Sequence, residues 1–448
     1  MSNDTEKLTP GFVIYVNGVR LPPFIEMAVK HIKVTGRINA MSSFSISIAD
    51  PERMIVDSPL LFIGVQVKIL MGYKDAVEEV AIYEITGMRA YFNSESGISV
   101  TIEGYCHLQR LNHARVNRGY NEKNMADIVN EIAGLYTLSA ETDVETEPFP
   151  FKLQRNQTDF EYLLMHTREH NCYLWGNDKT VYFKKETDVG KEEIILEKGK
   201  TLTAFTGGAQ SGKLFTNVVV RGRNPDTGKF IEATAGPDKV KKKIGGNTTA
   251  PTHIEKNIAK FTHNYFDYGI KDIKGAEERA AIILEQNSMD YVRFIGECQG
   301  NPKILAGMTI TIKGMGEIYS GKYFVMQAEH ELIPMQGYMT SFEVVRNSTL
   351  ARKEKKQWTS ATDGPTKKKE KGKLKNNWLE LRLVDEDSGE PYAQVDYILK
   401  FDDGTERSGT TDENGFLFED NLPSQEYELI LEDMDIKGEN NEVTERRS

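Results

Sequence analysis

Apolar and polar residues alternate with a period of two over much of the first 350 positions. Phe44-Ser45-Ile46-Ser47-Ile48, Val65-Gln66-Val67-Lys68-Ile69 and Ile98-Ser99-Val100-Thr101-Ile102 each turn one face to a core and the other to water. Residues 10–110 therefore predict an antiparallel sheet curled into a barrel. Helical periodicity follows: Met125, Ile128, Val129 and Ile132 fall on one helix face, and Thr158-Asp159-Phe160-Glu161 has the Thr-x-x-Glu order of a capping box ahead of Leu163 and Leu164. Short strands are expected at Tyr173–Trp175, Val181–Lys184 and Asn217–Arg221, then a helix at Ala276–Asn287 and strands up to Asn347. The polar stretch 224–257, with its Lys241–Lys243 run and Gly245-Gly246, reads as a long loop.

The pattern also repeats. Gly64 to Ile69, then Tyr83 and Gly97, correspond in order and spacing to Gly307 to Ile312, then Tyr323 and Gly337. Two amphipathic hairpins resemble each other by default, but agreement over several elements favours two related barrels in one chain. Beyond 350, residues 351–375 read as a basic flexible linker that is too poor in apolar residues to fold. Residues 376–434, with Leu379, Leu381 and Leu383 alternating and turn signals at Asp403-Gly404 and Asn414-Gly415, read as a small β-sandwich. Residues 435–448 read as a disordered tail. The predicted class is mainly β with a minor α component: barrels over 10–110 and 196–350, a helix-containing middle region over 111–195, and the terminal sandwich.

Charge sharpens these boundaries. The chain has 448 residues and a formal net charge of −11, divided as −3 over residues 1–351, +7 over 352–375 and −15 over 376–448. The +7 block lacks the interleaved aromatics of a single-strand nucleic-acid binder, so it reads as a solvated spacer and no nucleic-acid partner is expected. No apolar run is long enough to span a membrane, and residues 1–10 lack the order of a signal peptide. Cys106, Cys172 and Cys298 form no paired motif, which predicts reduced thiols and folding in the cytoplasm.

Three near-motifs bear on chemistry. Gly207 to Leu214 approaches a phosphate-binding loop, but Leu214 stands where a hydroxyl should hold magnesium and a strand pattern follows instead of a helix. His166-Thr167-Arg168-Glu169-His170 has the H-x-x-E-H order of inverted zinc peptidases, with both histidines on one helix face and no third ligand identifiable. Asp402, Asp403, Asp412 and Glu413 lie in turns, where turn chemistry explains them better than calcium does. No nucleophile arrangement or dinucleotide fingerprint is visible, and the expected catalytic, cofactor-binding and metal sets are empty.

The order of elements resembles a known family. Gln154 to Leu163, continuing through Asn171-Cys172-Tyr173-Leu174-Trp175, is similar to the Q-x-x-x-(S/T)-D-F segment of the phage late control D and VgrG family, with Met125 to Val129 as the short helix before it. Gly275 to Ala280, Asn301-Pro302, Leu305 to Gly307, Tyr319 to Val325, His330 and Gly337 to Thr340 resemble that family's second barrel. The resemblance covers residues 10 to about 347.

It implies a non-enzymatic baseplate hub of a contractile injection system: a phage tail, a tailocin, an extracellular injection particle or a type VI-like machine. Its implied partners are two further copies in a homotrimer, a hexameric inner tube protein, a separate spike tip and other baseplate proteins. A membrane would be met only by puncture, and assembly would be cytoplasmic, with release by lysis or anchoring to the cell. Unlike VgrG, this chain has no OB-like domain or needle repeats after Asn347. Its terminal segment instead resembles transthyretin-like, carboxypeptidase-regulatory-like modules, which implies recruitment of a partner or effector. Two other readings stay open: a zinc metallopeptidase using His166, Glu169 and His170, and a secreted β-rich adhesin or carbohydrate-binding protein.

Overall fold

The structure is a computed structural model, and it describes residues 9–74, 76–93, 97–185, 187, 193–224, 227–350, 368–373, 379–384, 391–401, 404–422, 426–431 and 443–445. Two compact units divide the chain, Met1–Arg352 and Lys353–Ser448. The fold is mainly β with antiparallel sheets and few helices, as the alternation predicts.

The first unit is dominated by one sheet, twelve of whose strands fall into two sets of six. The first set is β1 (Pro10–Val16), β2 (Val29–Arg37), β3 (Ser43–Ala49), β4 (Gln66–Tyr73), β5 (Ala76–Asn93) and β6 (Gly97–Tyr105). The second is β7 (Ile194–Glu197), β8 (Leu202–Ala209), β9 (Val292–Gln299), β10 (Thr309–Lys313), β11 (Gly321–Ile333) and β12 (Gly337–Arg346). The first set pairs in the order β1-β4-β5-β6-β3-β2, and the second in the order β7-β10-β11-β12-β9-β8.

The correspondence extends to register. One row across the first set, Val34–Phe44–Gly104–Ile85, is matched by Gly207–Phe294–Val344–Val325 in the second. Bulges fall at equivalent places: between Ile85 and Gly87 and between Val325 and Gln327, and again between Val29 and His31 and between Leu202 and Ala204. A bulge puts an extra residue on one strand and bends it, so two bulges at equivalent positions are a structural signature and not a product of amphipathic alternation. The sets differ at one edge, where β1 runs antiparallel to β4 but β7 runs parallel to β10.

Each repeat has its own core. Ile14, Ile32, Ile46, Val67, Ile69, Ile85 and Ile102 lie in the first; Leu196, Phe294, Ile310, Ile312, Tyr323, Val325 and Val344 lie in the second. The predicted helices form as α1 (Met125–Leu135) and α2 (Asp159–His170), and both begin with complete capping boxes, Asn124 with Asp127 and Thr158 with Glu161. A two-stranded ribbon, Arg115–Lys123 with Phe149–Thr158, joins them.

The stretch 224–257 is not a loop. Phe230–Ala235 is a strand antiparallel to Asn217–Arg223, Thr262–Phe266 adds in parallel, and α3 (Ala250–Asn257) lies between Phe230–Ala235 and Thr262–Phe266 in the chain. With α4 (Ile273–Ser288) this insertion builds a separate small core of Val218, Val220, Ile231, Ala233, Ala276, Ala280 and Leu284. The reason is visible in Ile231, Ala233 and Ala235, which alternate inward even though flanking charged residues lower the mean hydropathy of the region.

The second unit contains a four-stranded and a three-stranded antiparallel sheet with buried Leu381, Leu383, Tyr397, Leu399, Leu417 and Leu429. Two expectations change here. Lys368–Lys373, assigned to the spacer, is a strand laddered antiparallel to Glu426–Leu431. Val443–Glu445, assigned to the tail, pairs with Leu379–Leu383. In both cases an open sheet edge supplies backbone partners that composition does not reveal. The remainder of 351–375 and of 435–448 lies outside the described residues.

Candidate functional site

The sequence motif of the second helix is built around one buried carboxylate. Asp159 opens α2 and is fully buried; its Oδ1 accepts from Arg118 Nη1 at 2.7 Å and Gln154 Nε2 at 2.9 Å, and its Oδ2 accepts from the Tyr136 hydroxyl at 2.7 Å. Tyr120 donates to Gln154 Oε1 at 3.0 Å, closing the network. The ribbon, α1 and α2 are thus fixed together through side chains that satisfy one another. Gln154 and Asp159 are positioning residues for the fold, and both are fully buried.

The H-x-x-E-H residues do come together. His166 Nδ1 lies 2.6 Å from Glu169 Oε2, and ligand atoms of His166, Glu169 and His170 all fall within 4.8 Å of one another. Lys152, from the ribbon, places Nζ 3.0 Å from Glu169 Oε2 and 3.5 Å from His166 Nδ1. That ammonium pairs with the carboxylate and would repel a cation bound there, while Nε2 of His166 and of His170 are buried without a hydrogen-bond partner. Burial holds His166 below its ordinary pKa and pushes His170 down to about 4. Burial alone would raise the Glu169 carboxyl, but His166 and Lys152 outweigh it and hold it well below the carboxylate range.

The other near-motifs resolve as structure. Gly207, Gly208 and Ala209 lie in β8, and Asn217–Arg223 beyond them is a strand, so no helix N-terminus faces the glycines. Asp412 Oδ1 accepts the backbone N–H of Asn414 and Phe416, an ordinary turn. Asp402 and Asp403 lie outside the described residues, and Glu413 is exposed.

What the sequence did not reveal is the seam between the repeats. The half of β11 beyond its bulge pairs antiparallel with β2, from Gln327 opposite Arg37 to Leu332 opposite Ile32. Side chains reinforce it: Arg37 Nε donates to Gln327 at 3.0 Å, Thr35 to Glu329 at 3.2 Å, and Lys33 meets Glu329 at 2.7 Å. The equivalent half of β5, Gly87 to Phe92, pairs with β6 on one side, and β8 pairs with β9 on one side. Among the described residues no strand covers the other edge of either. Tyr91 is 50% and Phe92 65% exposed.

The architecture is shared with phage tail proteins of known structure. A 43 kDa tail protein of a Shewanella oneidensis prophage matches with TM-score 0.57 at 12% identity, over 75% of this chain and 98% of its own. A tail protein from Neisseria meningitidis matches with TM-score 0.53 at 11% identity, over 75% of this chain and 96% of its own. An Escherichia coli component of the type VI secretion system matches more loosely, with TM-score 0.47 at 10% identity, over 92% of this chain and 98% of its own. No curated protein sequence matches the chain. The family model described as the Alg8 N-terminal domain matches residues 6–333, the first repeat and the second as far as the end of β11, and the chain belongs to that family.

Proposed function

We propose that this protein is the trimeric hub of a contractile injection particle, seated between a hexameric inner tube and a separate spike tip. The observation that carries this reading is the duplication: three chains bearing two equivalent six-stranded repeats offer six quasi-equivalent surfaces to a sixfold partner. The tail-protein fold is consistent with it. The role we assign is mechanical and non-enzymatic, with the buried Asp159 network and the inter-repeat seam carrying load when the assembly is driven through an envelope. The acidic terminal unit, charged −15 over residues 376–448, suits recruitment of a basic partner or effector, and three copies would raise its effective concentration.

Co-expression with an inner tube protein of a contractile injection system tests the adaptor role. A stable complex containing hub and tube subunits in a one-to-two ratio is expected. A hub that never co-purifies with tube protein, while tube rings form normally, would overturn it.

A further inference from the structure

The two imidazoles of α2 form a nitrogen-donor pair in which the carboxylate between them plays no ligand part. We propose that His166 and His170 bind one divalent ion of the zinc, copper(II) or nickel(II) type through their Nε2 atoms, with Glu169 as a positioning residue on the far edge of the His166 ring. The site is structural and independent of the hub reading.

His166 and His170 are four residues apart on one helix, so their side chains share a face. Their ring centroids lie 6.1 Å apart with the planes inclined by 30°. Two nitrogens on a zinc-sized ion, each at about 2.0–2.1 Å, stand roughly 3–4 Å apart, which small side-chain rotations of such a pair can reach.

The hydrogen bonds select the nitrogen. An ionised carboxylate only accepts, so the 2.6 Å contact between His166 Nδ1 and Glu169 Oε2 puts the ring proton on Nδ1 and the lone pair on Nε2. A carboxylate on the second ring nitrogen is how metal-bound imidazoles are oriented. His166 is 1% exposed, yet its Nε2 has no hydrogen-bond partner, and neither has the buried Nε2 of His170. Tyr162, one turn earlier on the same face, is fully buried with its hydroxyl unpartnered, and its ring meets that of His166 edge-on at 4.5 Å. Buried polar atoms without partners are costly, and a metal ion is a partner that neighbouring imidazoles can share.

Two cations face the imidazoles, and each has its own carboxylate. Lys152 Nζ is 3.0 Å from Glu169, and Arg279 Nε is 3.4 Å from Asp267. Lys152 approaches His166 at Nδ1, 3.5 Å away, and makes no bond to Nε2. The ammonium thus belongs to the frame that holds Glu169, and it keeps that carboxylate out of the coordination shell. Two imidazoles without an anionic ligand suit zinc, copper(II) or nickel(II) and do not suit magnesium or calcium, which take oxygen ligands. Water completes the shell from the half-buried side of His170. The last turn of α2 also carries the Arg168 carbonyl that accepts from Arg279 Nη1 of α4 at 2.9 Å, so an ion there stiffens the α2–α4 junction.

Calorimetric titration of zinc into tag-free, chelator-washed, full-length protein tests the site, with electron paramagnetic resonance of the copper(II) form reporting the ligand atoms. One zinc per chain, a raised thermal midpoint and a copper spectrum showing two imidazole nitrogens are expected. His170→Gln, at a half-buried position, should lose the binding while keeping its midpoint in chelator, and Glu169→Gln should weaken it about tenfold. Lys152→Met should tighten it, because a nearby positive charge is removed. His263→Gln, at an exposed position of the insertion, should bind as the wild type does. A wild-type chain that takes up neither zinc nor copper overturns the site. Binding that survives His170→Gln, or a copper spectrum without two nitrogens, overturns it equally and leaves the hub reading standing.

Discussion

Gly64 and Gly307 are equivalent residues of the two repeats, in the same conformation and making the same hydrogen bond. Both have positive φ, 90° and 94°, and their N–H groups donate to the Ile85 and Val325 carbonyls at 2.9 and 2.8 Å. Ile85 and Val325 donate back to the residues after them, Val65 and Met308, at 2.9 Å each.

Because a side chain in the left-handed region costs about 1–2 kcal/mol, Gly64→Ala should destabilise the protein by roughly 1 kcal/mol. A Cβ at Gly64 meets nothing within 4 Å, so the cost is conformational alone. Urea denaturation of the wild type and variant measures it.

Asp159→Ala removes a fully buried carboxylate and strands Arg118, Gln154 and Tyr136 without their acceptor. A loss of about 3 kcal/mol is expected, the scale for breaking a buried charge pair. Thr158→Ala removes the cap to Glu161 N–H and the hydroxyl's bond to Asn112 Oδ1 at 2.9 Å and should cost about 1–2 kcal/mol, less than Asp159→Ala in the same denaturation series.

Acid should weaken the fold before the carboxylates titrate. His330 is buried and accepts from Tyr338 through Nδ1 at 2.8 Å while Nε2 lies 3.0 Å from the Ile304 carbonyl, a neutral arrangement; burial pushes its pKa down to about 4 from 6.5. His170 is pushed down to about 4 as well. With both pKa values depressed in the folded state, the unfolded chain takes up protons first, so stability is intact above pH 6.5 and falls progressively towards pH 4. Thermal midpoints between pH 7.5 and 4.5 should decline, and His330→Gln should flatten part of that slope.

The terminal unit should be separable only at the right place. A chain ending at Arg352 keeps the whole first unit and should retain its oligomeric state by light scattering. A chain ending at Lys375 keeps Lys368–Lys373 but removes Glu426–Leu431, its ladder partner, leaving a strand with nothing to pair with. The longer truncation should therefore be no more stable than the shorter one.

Much of the fold is legible in the sequence because it is local. The alternation at Phe44–Ile48 and the Thr158–Glu161 cap report on neighbours a few residues away, and both form as predicted. The repeat is legible too, through Gly64, Tyr83 and Gly97 and their counterparts. The seam is not: Leu332 and Ile32 lie far apart in sequence, and neither carries a mark of the other. Lys152 is hidden for the same reason. The H-x-x-E-H spacing suggests a metal site on one helix, and the ammonium that pairs with its Glu169 comes from a different strand.

Native mass spectrometry of the purified full-length chain at high concentration tests the central claim most directly. The account predicts a closed assembly of three copies that resists dilution. A monomer throughout, or an open series of species with no closed form, would contradict it.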